Sequence, residues 1–262
     1  MTKYQIRDTF KQLDMDGNKA FIAYLMAGDG SLDQLLNQIQ ILEDSGVDLI
    51  EIGVPFSDPA ADGPVIQDAG LRALEKNISL NDILNKLSEI KDEIHIPYVL
   101  MTYYNPIFKY GLEAFKEVAV AAGVSGLIVP DLPLDEEAEL KSALVDSDLA
   151  IIRLVTLTTS DERLKKIVSE AEGFIYAVAV NGITGKRVGY SQEVYDYLER
   201  IKKYATIPVC SGFGISNKEN AKALGGYCDG VIVGSKIVEL LHNGKTEEIK
   251  NLIPEKYISS VN

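Results

Sequence analysis

The chain has 262 residues, of which 46% are hydrophobic and 25% charged, and its formal net charge is −13. The apolar content is too high for a disordered chain, and this length is enough to bury one large core. The negative charge repels phosphate backbones and anionic lipid headgroups, so we expect neither nucleic acid nor a membrane surface as a partner.

The sequence lacks targeting and metal-binding patterns. No run approaches the ~18 apolar residues that span a bilayer, and residues 1–16 alternate charged with apolar side chains, unlike a signal peptide. We therefore predict a cytoplasmic protein. Cys210 and Cys228 have no CxxC spacing and His95 lies far from His242, so the sequence predicts two buried, reduced thiols and no metal site.

Short apolar runs alternate with helical patterns along the chain. Residues 4–13 predict an amphipathic helix that precedes the first run and covers the bottom of the fold. The runs are almost continuously apolar, as expected of parallel strands covered on both faces. The predicted strands are 21–27, 49–54, 98–103, 126–131, 150–156, 174–180, 208–214 and 229–235, with amphipathic helices predicted at 32–44, 112–122, 161–171 and 192–204.

Eight alternating units predict an α/β fold, a (β/α)8 TIM barrel with an extra N-terminal helix, because such barrels use about 250 residues. The composition is even and no linker interrupts it, which favours a single domain over residues 1–262. An open, doubly wound sheet is the alternative, since the number of strands does not prove closure.

Glu51 is the first candidate for chemistry, because it is a lone carboxylate inside the apolar run 49–54. A buried, unpaired charge costs several kcal/mol or raises the pKa of its group. There are two interpretations of Glu51. Its charge is compensated by backbone hydrogen-bond donors or by a basic side chain, or its carboxyl group transfers a proton in a reaction. The carboxyl-terminal ends of barrel strands carry catalytic groups, which favours proton transfer.

The loop 55–64 follows directly and holds three prolines and two aspartates. Proline restricts the backbone, so the loop should hold a carboxylate over the barrel mouth at little entropic cost. Asp58 and Asp62 are the candidates. Each could instead cap a turn or a helix, and spacing alone does not choose between these uses.

Three glycine-bearing segments, 181–185, 211–216 and 233–236, each follow a predicted strand. Bare glycines let backbone N–H groups approach an anion, and the loops after strands 7 and 8 of such barrels often bind phosphate. They predict a phosphate pocket. Met101 and Tyr176 are interpreted as core residues unless a ligand reaches them, and Tyr103 could serve either purpose.

The segment 51–64, which reads EIGVPFSDPAADGP, closely resembles the signature of the tryptophan synthase alpha subunit family. The resemblance extends along the chain through Asn105-Pro106, Pro130-Asp131-Leu132-Pro133, Gly182-Ile183-Thr184-Gly185, Gly212-Phe213-Gly214-Ile215 and Gly234-Ser235. It implies a TIM barrel that cleaves indole-3-glycerol phosphate to indole and glyceraldehyde 3-phosphate in tryptophan biosynthesis. It also implies that the reaction is a retro-aldol cleavage without metal or organic cofactor.

The resemblance also implies residue roles. Glu51 matches the family's catalytic acid and base, and Asp62 matches the residue that binds the indole N–H. Thr184 matches a residue of a loop that closes over the substrate. The remaining matches are substrate-lining positions at Tyr24, Met101, Tyr103 and Tyr176, and a phosphate pocket at Gly185, Phe213, Gly214, Gly234 and Ser235.

The resemblance further implies an α2β2 complex, in which indole passes to a beta subunit that holds pyridoxal phosphate. Loops 57–60 and 130–133 match the surface on which alpha subunits of this family contact the beta subunit. The sequence departs from the family at Ala60, where a larger aliphatic residue is usual, and at 177–181, which lacks the usual polar and basic residues. These departures concern coupling to the partner rather than the chemistry.

Other interpretations remain open. A phosphate-binding barrel isomerase or epimerase would explain the glycine segments but not segment 51–64. A free-standing indole-3-glycerol phosphate lyase would keep the same chemistry without the partner. A barrel kept only as a binding partner should have lost Glu51 or Asp62, and both are present.

Overall fold

Eight parallel strands close into a barrel in the computed structural model, which describes residues 2–178 and 190–255. Each strand pairs with the next along the chain, and the last pairs with the first. This confirms the predicted TIM barrel and rules out the open sheet. The strands are β1 (Ala20–Met26), β2 (Leu49–Gly53), β3 (Tyr98–Met101), β4 (Gly126–Ile128), β5 (Ala150–Thr156), β6 (Ile175–Val178), β7 (Val209–Gly212) and β8 (Gly230–Val233).

Helices connect the strands and cover the outside of the barrel. Two helices follow the 55–64 loop before the third strand. Short 3₁₀ segments occur at Leu32–Gln34, Lys91–Glu93 and Thr246–Leu252. The α-helices are α1 (Lys3–Met15), α2 (Leu35–Ser45), α3 (Pro64–Leu74), α4 (Leu80–Ile90), α5 (Tyr104–Tyr110), α6 (Leu112–Ala121), α7 (Ala138–Leu144), α8 (Asp161–Glu170), α9 (Gln192–Tyr204), α10 (Lys218–Gly225) and α11 (Ser235–His242).

Helix α1 closes the end of the barrel where the strands begin, as predicted. Its buried Ile6 and Phe10 pack into the same apolar cluster as Ala20 and Leu49. The Phe10 and Phe174 rings lie 5.9 Å apart. Because apolar side chains fill this end, the barrel interior is closed here.

Alternate strand residues point into the barrel or towards the helices. The interior is apolar at residues such as Ile22, Leu49 and Val99, while their sequence neighbours pack in the outer layer against the helices. Nearer the strands' carboxyl ends, Tyr24 and Glu51 occupy the interior side in register with each other. This change from apolar to polar side chains marks the mouth of the barrel as the functional end.

The predicted strands exist, but several are shorter than expected. Thr102 and Tyr103 continue the apolar run of β3, yet the chain leaves the sheet after Met101 to begin α5. Cys210 and Cys228 are buried free thiols, as predicted. Among the described residues no helix is both long and apolar enough to cross a membrane.

Candidate active site

Glu51 lies near the end of β2 with its side chain buried inside the barrel. Its Oε1 atom has no hydrogen-bond partner within the described residues. Burial, and secondarily the charge of Asp62, raises the pKa of Glu51 from 4.5 to about 8. The carboxyl group is therefore mostly neutral at pH 7, which makes it a proton donor with one oxygen still free to bind a ligand.

Asp62 lies in the loop between β2 and α3. The backbone N–H of Asp62 donates to the Pro59 carbonyl at 3.1 Å, and its own carbonyl accepts from Gln67 Nε2 at 2.9 Å. Gly63, not Asp62, is the N-cap of α3. The Asp62 carboxylate is thus not used to cap the helix, and it faces the cavity that holds Glu51.

Tyr103 fixes this loop from the end of β3. Its hydroxyl accepts a hydrogen bond from the Ala61 N–H at 2.9 Å and donates one to Asp62 Oδ2 at 3.2 Å. Its ring stacks on Phe56 with centroids 4.9 Å apart. Burial raises the pKa of Asp62, and the Tyr103 hydrogen bond opposes that rise. Tyr103 therefore both positions Asp62 and favours its ionised form.

The two carboxyl groups share one cavity of about 390 Å³. Its walls come from several strand ends, as is usual for active sites at this end of a TIM barrel. Eight of the residues predicted from the sequence line it: Tyr24, Glu51, Asp62, Met101, Tyr176, Gly214, Gly234 and Ser235.

The far side of this cavity is formed by the start of α11. Gly234 is the N-cap of this helix and Ser235 is its first residue. Free backbone N–H groups and the positive end of the helix dipole favour an anion there. Gly214, in the loop after β7, has φ +58°, a backbone conformation that residues other than glycine rarely adopt. The geometry supports phosphate binding at this end.

Two glycines make room for the two tyrosine side chains that line the cavity. A Cβ atom at Gly53 would lie 1.9 Å from the Tyr24 hydroxyl oxygen, and one at Gly212 would lie 2.7 Å from the Tyr176 ring. Both tyrosines are interior, and burial raises the pKa of each well above its ordinary value. The rings can occupy these positions only because the neighbouring strands carry no side chain there.

The other predicted site residues lie elsewhere. Tyr103 contacts Asp62 from behind the cavity wall. The Phe213 side chain is buried among the outer core residues, with its ring 5.9 Å from that of Tyr197, so it points away from the cavity. Thr184 and Gly185 lie outside the described residues.

Sequence reasoning did not single out several residues of this cavity. Lys236 and Ser216 line it beside the phosphate end, and Lys236 Nζ lies 3.2 Å from Glu239. Both belong to the glycine-bearing segments, so the polar residues after those glycines were the available signal. Within the described residues, no group of three or more His, Cys, Asp or Glu side chains could hold a metal ion.

Comparison with known proteins decides the family. The family model described as tryptophan synthase alpha chain matches residues 10–260. The chain belongs to the tryptophan synthase alpha chain family. The alpha chain of Bacillus cereus is 50% identical over 238 residues, covering 91% of this chain and 92% of the relative. That of Bacillus anthracis has the same identity and coverage.

Solved structures of this family have the same fold. A tryptophan synthase structure from Mycobacterium tuberculosis has a TM-score of 0.87 at 36% identity, covering 94% of each chain. A tryptophan synthase alpha chain from Legionella pneumophila has a TM-score of 0.86 at 32% identity, covering 96% of this chain and 94% of that one. The resemblance seen in segment 51–64 is confirmed over most of the chain.

Proposed function

We propose that the chain cleaves indole-3-glycerol phosphate to indole and glyceraldehyde 3-phosphate in this cavity, with Glu51 and Asp62 as its catalytic groups. Cleavage of this substrate is the reaction of the family to which the chain belongs. The observation that carries the assignment of roles is the pairing of two unlike carboxyl groups in one cavity. Glu51 is fully buried and largely neutral, whereas Asp62 is less buried and accepts a hydrogen bond from Tyr103 that opposes the rise of its pKa.

Glu51 is the acid and then the base. Its neutral carboxyl group donates a proton to C3 of the indole ring, which becomes a positively charged indolenine. The resulting carboxylate accepts the proton of the adjacent side-chain hydroxyl. The bond between C3 and the side chain then breaks, its electron pair restores the aromatic ring, and the oxygen becomes the aldehyde oxygen. Glu51 ends the cycle protonated, as it began.

Asp62 is the electrostatic partner. Its carboxylate accepts a hydrogen bond from the indole N–H and stabilises the positive charge that the ring gains when C3 is protonated. The two carboxyl groups have different pKa values because their surroundings differ. Glu51 is in the apolar barrel, and Asp62 is in a hydrogen-bonded loop.

The phosphate group binds at Gly214, Gly234 and Ser235, where the start of α11 supplies N–H donors. Phe213 and Gly185 would contribute backbone atoms, and Thr184 would close over the substrate and exclude water. Tyr24, Met101 and Tyr176 line the space between the phosphate and the carboxyl groups. We propose that the chain, a single domain over residues 1–262, needs no cofactor for this step.

The proposed partner is a tryptophan synthase beta subunit, in a cytoplasmic α2β2 complex whose pyridoxal phosphate belongs to the beta subunit. Loops 57–60 and 130–133 are largely exposed at the mouth of the barrel. A second cavity of about 480 Å³ shares Ala61, Met101, Tyr176 and Gly212 with the first and extends to the 130–133 loop. The two cavities therefore adjoin, which supports passage of indole from the first cavity through the second towards a partner docked on these loops.

The test is release of indole from indole-3-glycerol phosphate by the purified chain, measured with and without a beta subunit from the same source. We expect slow release that the partner enhances strongly. Rapid release that the partner leaves unchanged would mean a free-standing lyase. No release in either mixture would overturn the proposed function.

A further inference from the structure

The Tyr24 side chain spans the active-site cavity from the phosphate end to the carboxyl groups. Its Cβ and Cγ lie 3.7 and 3.9 Å from the place where a Cβ on Gly234 would be, beside the start of α11. Its hydroxyl oxygen lies 1.9 Å from the place of a Cβ on Gly53. Gly53 is two residues after Glu51 on β2, so both positions face the barrel interior. The Tyr24 hydroxyl is therefore on the same face of β2 as Glu51, in the cavity that Tyr24 lines together with Glu51 and Asp62.

This hydroxyl has no strong acceptor. Its one hydrogen-bond partner in the described part of the chain is Met26 Sδ, at 4.0 Å, and a thioether sulfur is a weak acceptor. Tyr98, by contrast, is buried on the outer side of β3 and donates to the Ala122 carbonyl. Buried tyrosine hydroxyls usually have such a partner, so a ligand is the expected acceptor for Tyr24.

The hydroxyl remains a proton donor throughout the pH range of the reaction. Burial, followed by the charges of Asp62 and Glu51, raises the pKa of Tyr24 well above its ordinary value. The phenol therefore does not ionise beside the carboxyl groups. It can donate to an oxygen on which negative charge develops.

The substrate supplies such an oxygen. With the phosphate at α11 and the indole ring at the carboxyl groups, its three-carbon chain must lie along the Tyr24 ring. We propose that the Tyr24 hydroxyl donates a hydrogen bond to the side-chain hydroxyl oxygen next to the indole ring, the oxygen that becomes the aldehyde oxygen. This inference rests on the proposed function, because it names a further catalytic residue of the same reaction.

The hydrogen bond from Tyr24 contributes most at the step in which Glu51 accepts the proton of the substrate's side-chain hydroxyl. The O–H bond breaks, the oxygen carries negative charge until the C–C bond breaks, and its electron pair then forms the C=O bond. A donor already in place stabilises the oxygen during this interval. Because the interaction is stronger in the transition state than in the bound substrate, it should appear in kcat more than in KM.

The experiment compares wild type, Tyr24→Phe and Tyr98→Phe for cleavage of indole-3-glycerol phosphate, with the beta subunit present. Tyr98→Phe is the matched control, since it removes one buried tyrosine hydroxyl outside the barrel interior. We expect kcat to fall about tenfold or more in Tyr24→Phe and to stay unchanged in Tyr98→Phe. Circular dichroism checks that both variants are folded.

A second measurement is the dissociation constant of 3-(indol-3-yl)propyl phosphate, which keeps the ring and the phosphate but lacks both side-chain hydroxyls. Tyr24→Phe should bind it within about twofold of wild type, because the proposed acceptor is missing. Weakened binding would place the tyrosine hydroxyl at the ring or the phosphate and overturn the inference.

Other outcomes also overturn it. An unchanged kcat in Tyr24→Phe would mean that the hydroxyl only fills space. A shift in the alkaline limb of the pH profile, with the same maximal rate, would mean that it acts on Glu51 instead. If wild type itself releases no indole, the proposed function has failed, and the role of Tyr24 fails with it.

Discussion

The hydroxyl oxygen of Tyr103 lies 3.2 Å from Asp62 Oδ2, and the same oxygen accepts the Ala61 N–H at 2.9 Å. One tyrosine, two residues after the end of β3, thereby holds both the backbone and the carboxylate of the loop that follows β2. The loop prolines restrict the backbone, and Tyr103 adds the specific contact that points the Asp62 carboxylate into the cavity.

Tyr103→Phe should reduce kcat for cleavage about tenfold, because Asp62 loses its hydrogen-bond donor and the loop loses its anchor. The variant should also shift the acidic limb of the kcat/KM profile to higher pH. The Tyr103 hydrogen bond lowers the pKa of Asp62, so its removal raises that pKa, and the ionised form then requires a higher pH.

Tyr110→Phe is the control, since the Tyr110 hydroxyl lies 3.2 Å from Asn81 Oδ1, away from the cavity. It should leave both kcat and the acidic limb unchanged. An acidic limb that does not move in Tyr103→Phe would argue against Asp62 as the ionised partner.

The pH dependence of wild type tests the assignment of Glu51. Because Glu51 must be protonated to donate to C3, kcat/KM should decline as the pH rises through about 8. At low pH the rate should fall as Asp62 becomes protonated. The measurement is kcat/KM for indole release across this range, and a rate that increases through this alkaline region to a plateau would contradict the role of Glu51 as the acid.

The sequence predicted the barrel because a parallel strand covered on both faces is apolar over its whole length. It also identified Glu51, since a single carboxylate interrupts one of those runs. Asp58 and Asp62 could not be separated by spacing, because the difference depends on Tyr103, which is distant in sequence. The roles of Gly53 and Gly212 were likewise hidden, since they depend on which tyrosines the strand register places opposite them.

Glu51→Gln should abolish indole release, since an amide cannot transfer the proton. It should also change how stability depends on pH. The pKa of Glu51 is about 8 in the folded chain and near 4.5 when unfolded, so between these values the folded state holds a proton that the unfolded state has lost. Wild type therefore loses stability as the pH rises through this window.

The variant lacks this titration, so its unfolding free energy relative to wild type should increase from about pH 4.5 to about pH 8 and then level off. The gain is on the order of 5 kcal/mol, since the folded and unfolded pKa values differ by about 3.5 and each pKa unit corresponds to about 1.4 kcal/mol. Urea unfolding at several pH values measures it, with Glu117→Gln as the control for losing one surface carboxylate. A difference that is constant with pH would contradict the raised pKa.

Arg153 and Glu137 form a buried ion pair that the sequence did not reveal. Arg153 Nε lies 3.2 and 3.1 Å from the two Glu137 carboxylate oxygens, and both side chains are almost fully buried. Arg153 extends outwards from β5, and Glu137 is the N-cap of α7, just after the 130–133 loop. The pair therefore fixes the end of a loop on which we propose that the beta subunit docks.

Arg153→Met should lower the unfolding free energy by about 3 kcal/mol or more, because it leaves the Glu137 carboxylate buried and unpaired. Arg163→Met is the matched control. It breaks an exposed pair with Asp135, at 2.7 Å, and should cost less than about 1 kcal/mol. The double variant Arg153→Met/Glu137→Leu should recover most of the loss, since it removes both charges together. Urea unfolding measures all three variants, and equal destabilisation by Arg153→Met and Arg163→Met would show that the buried pair does not anchor the loop.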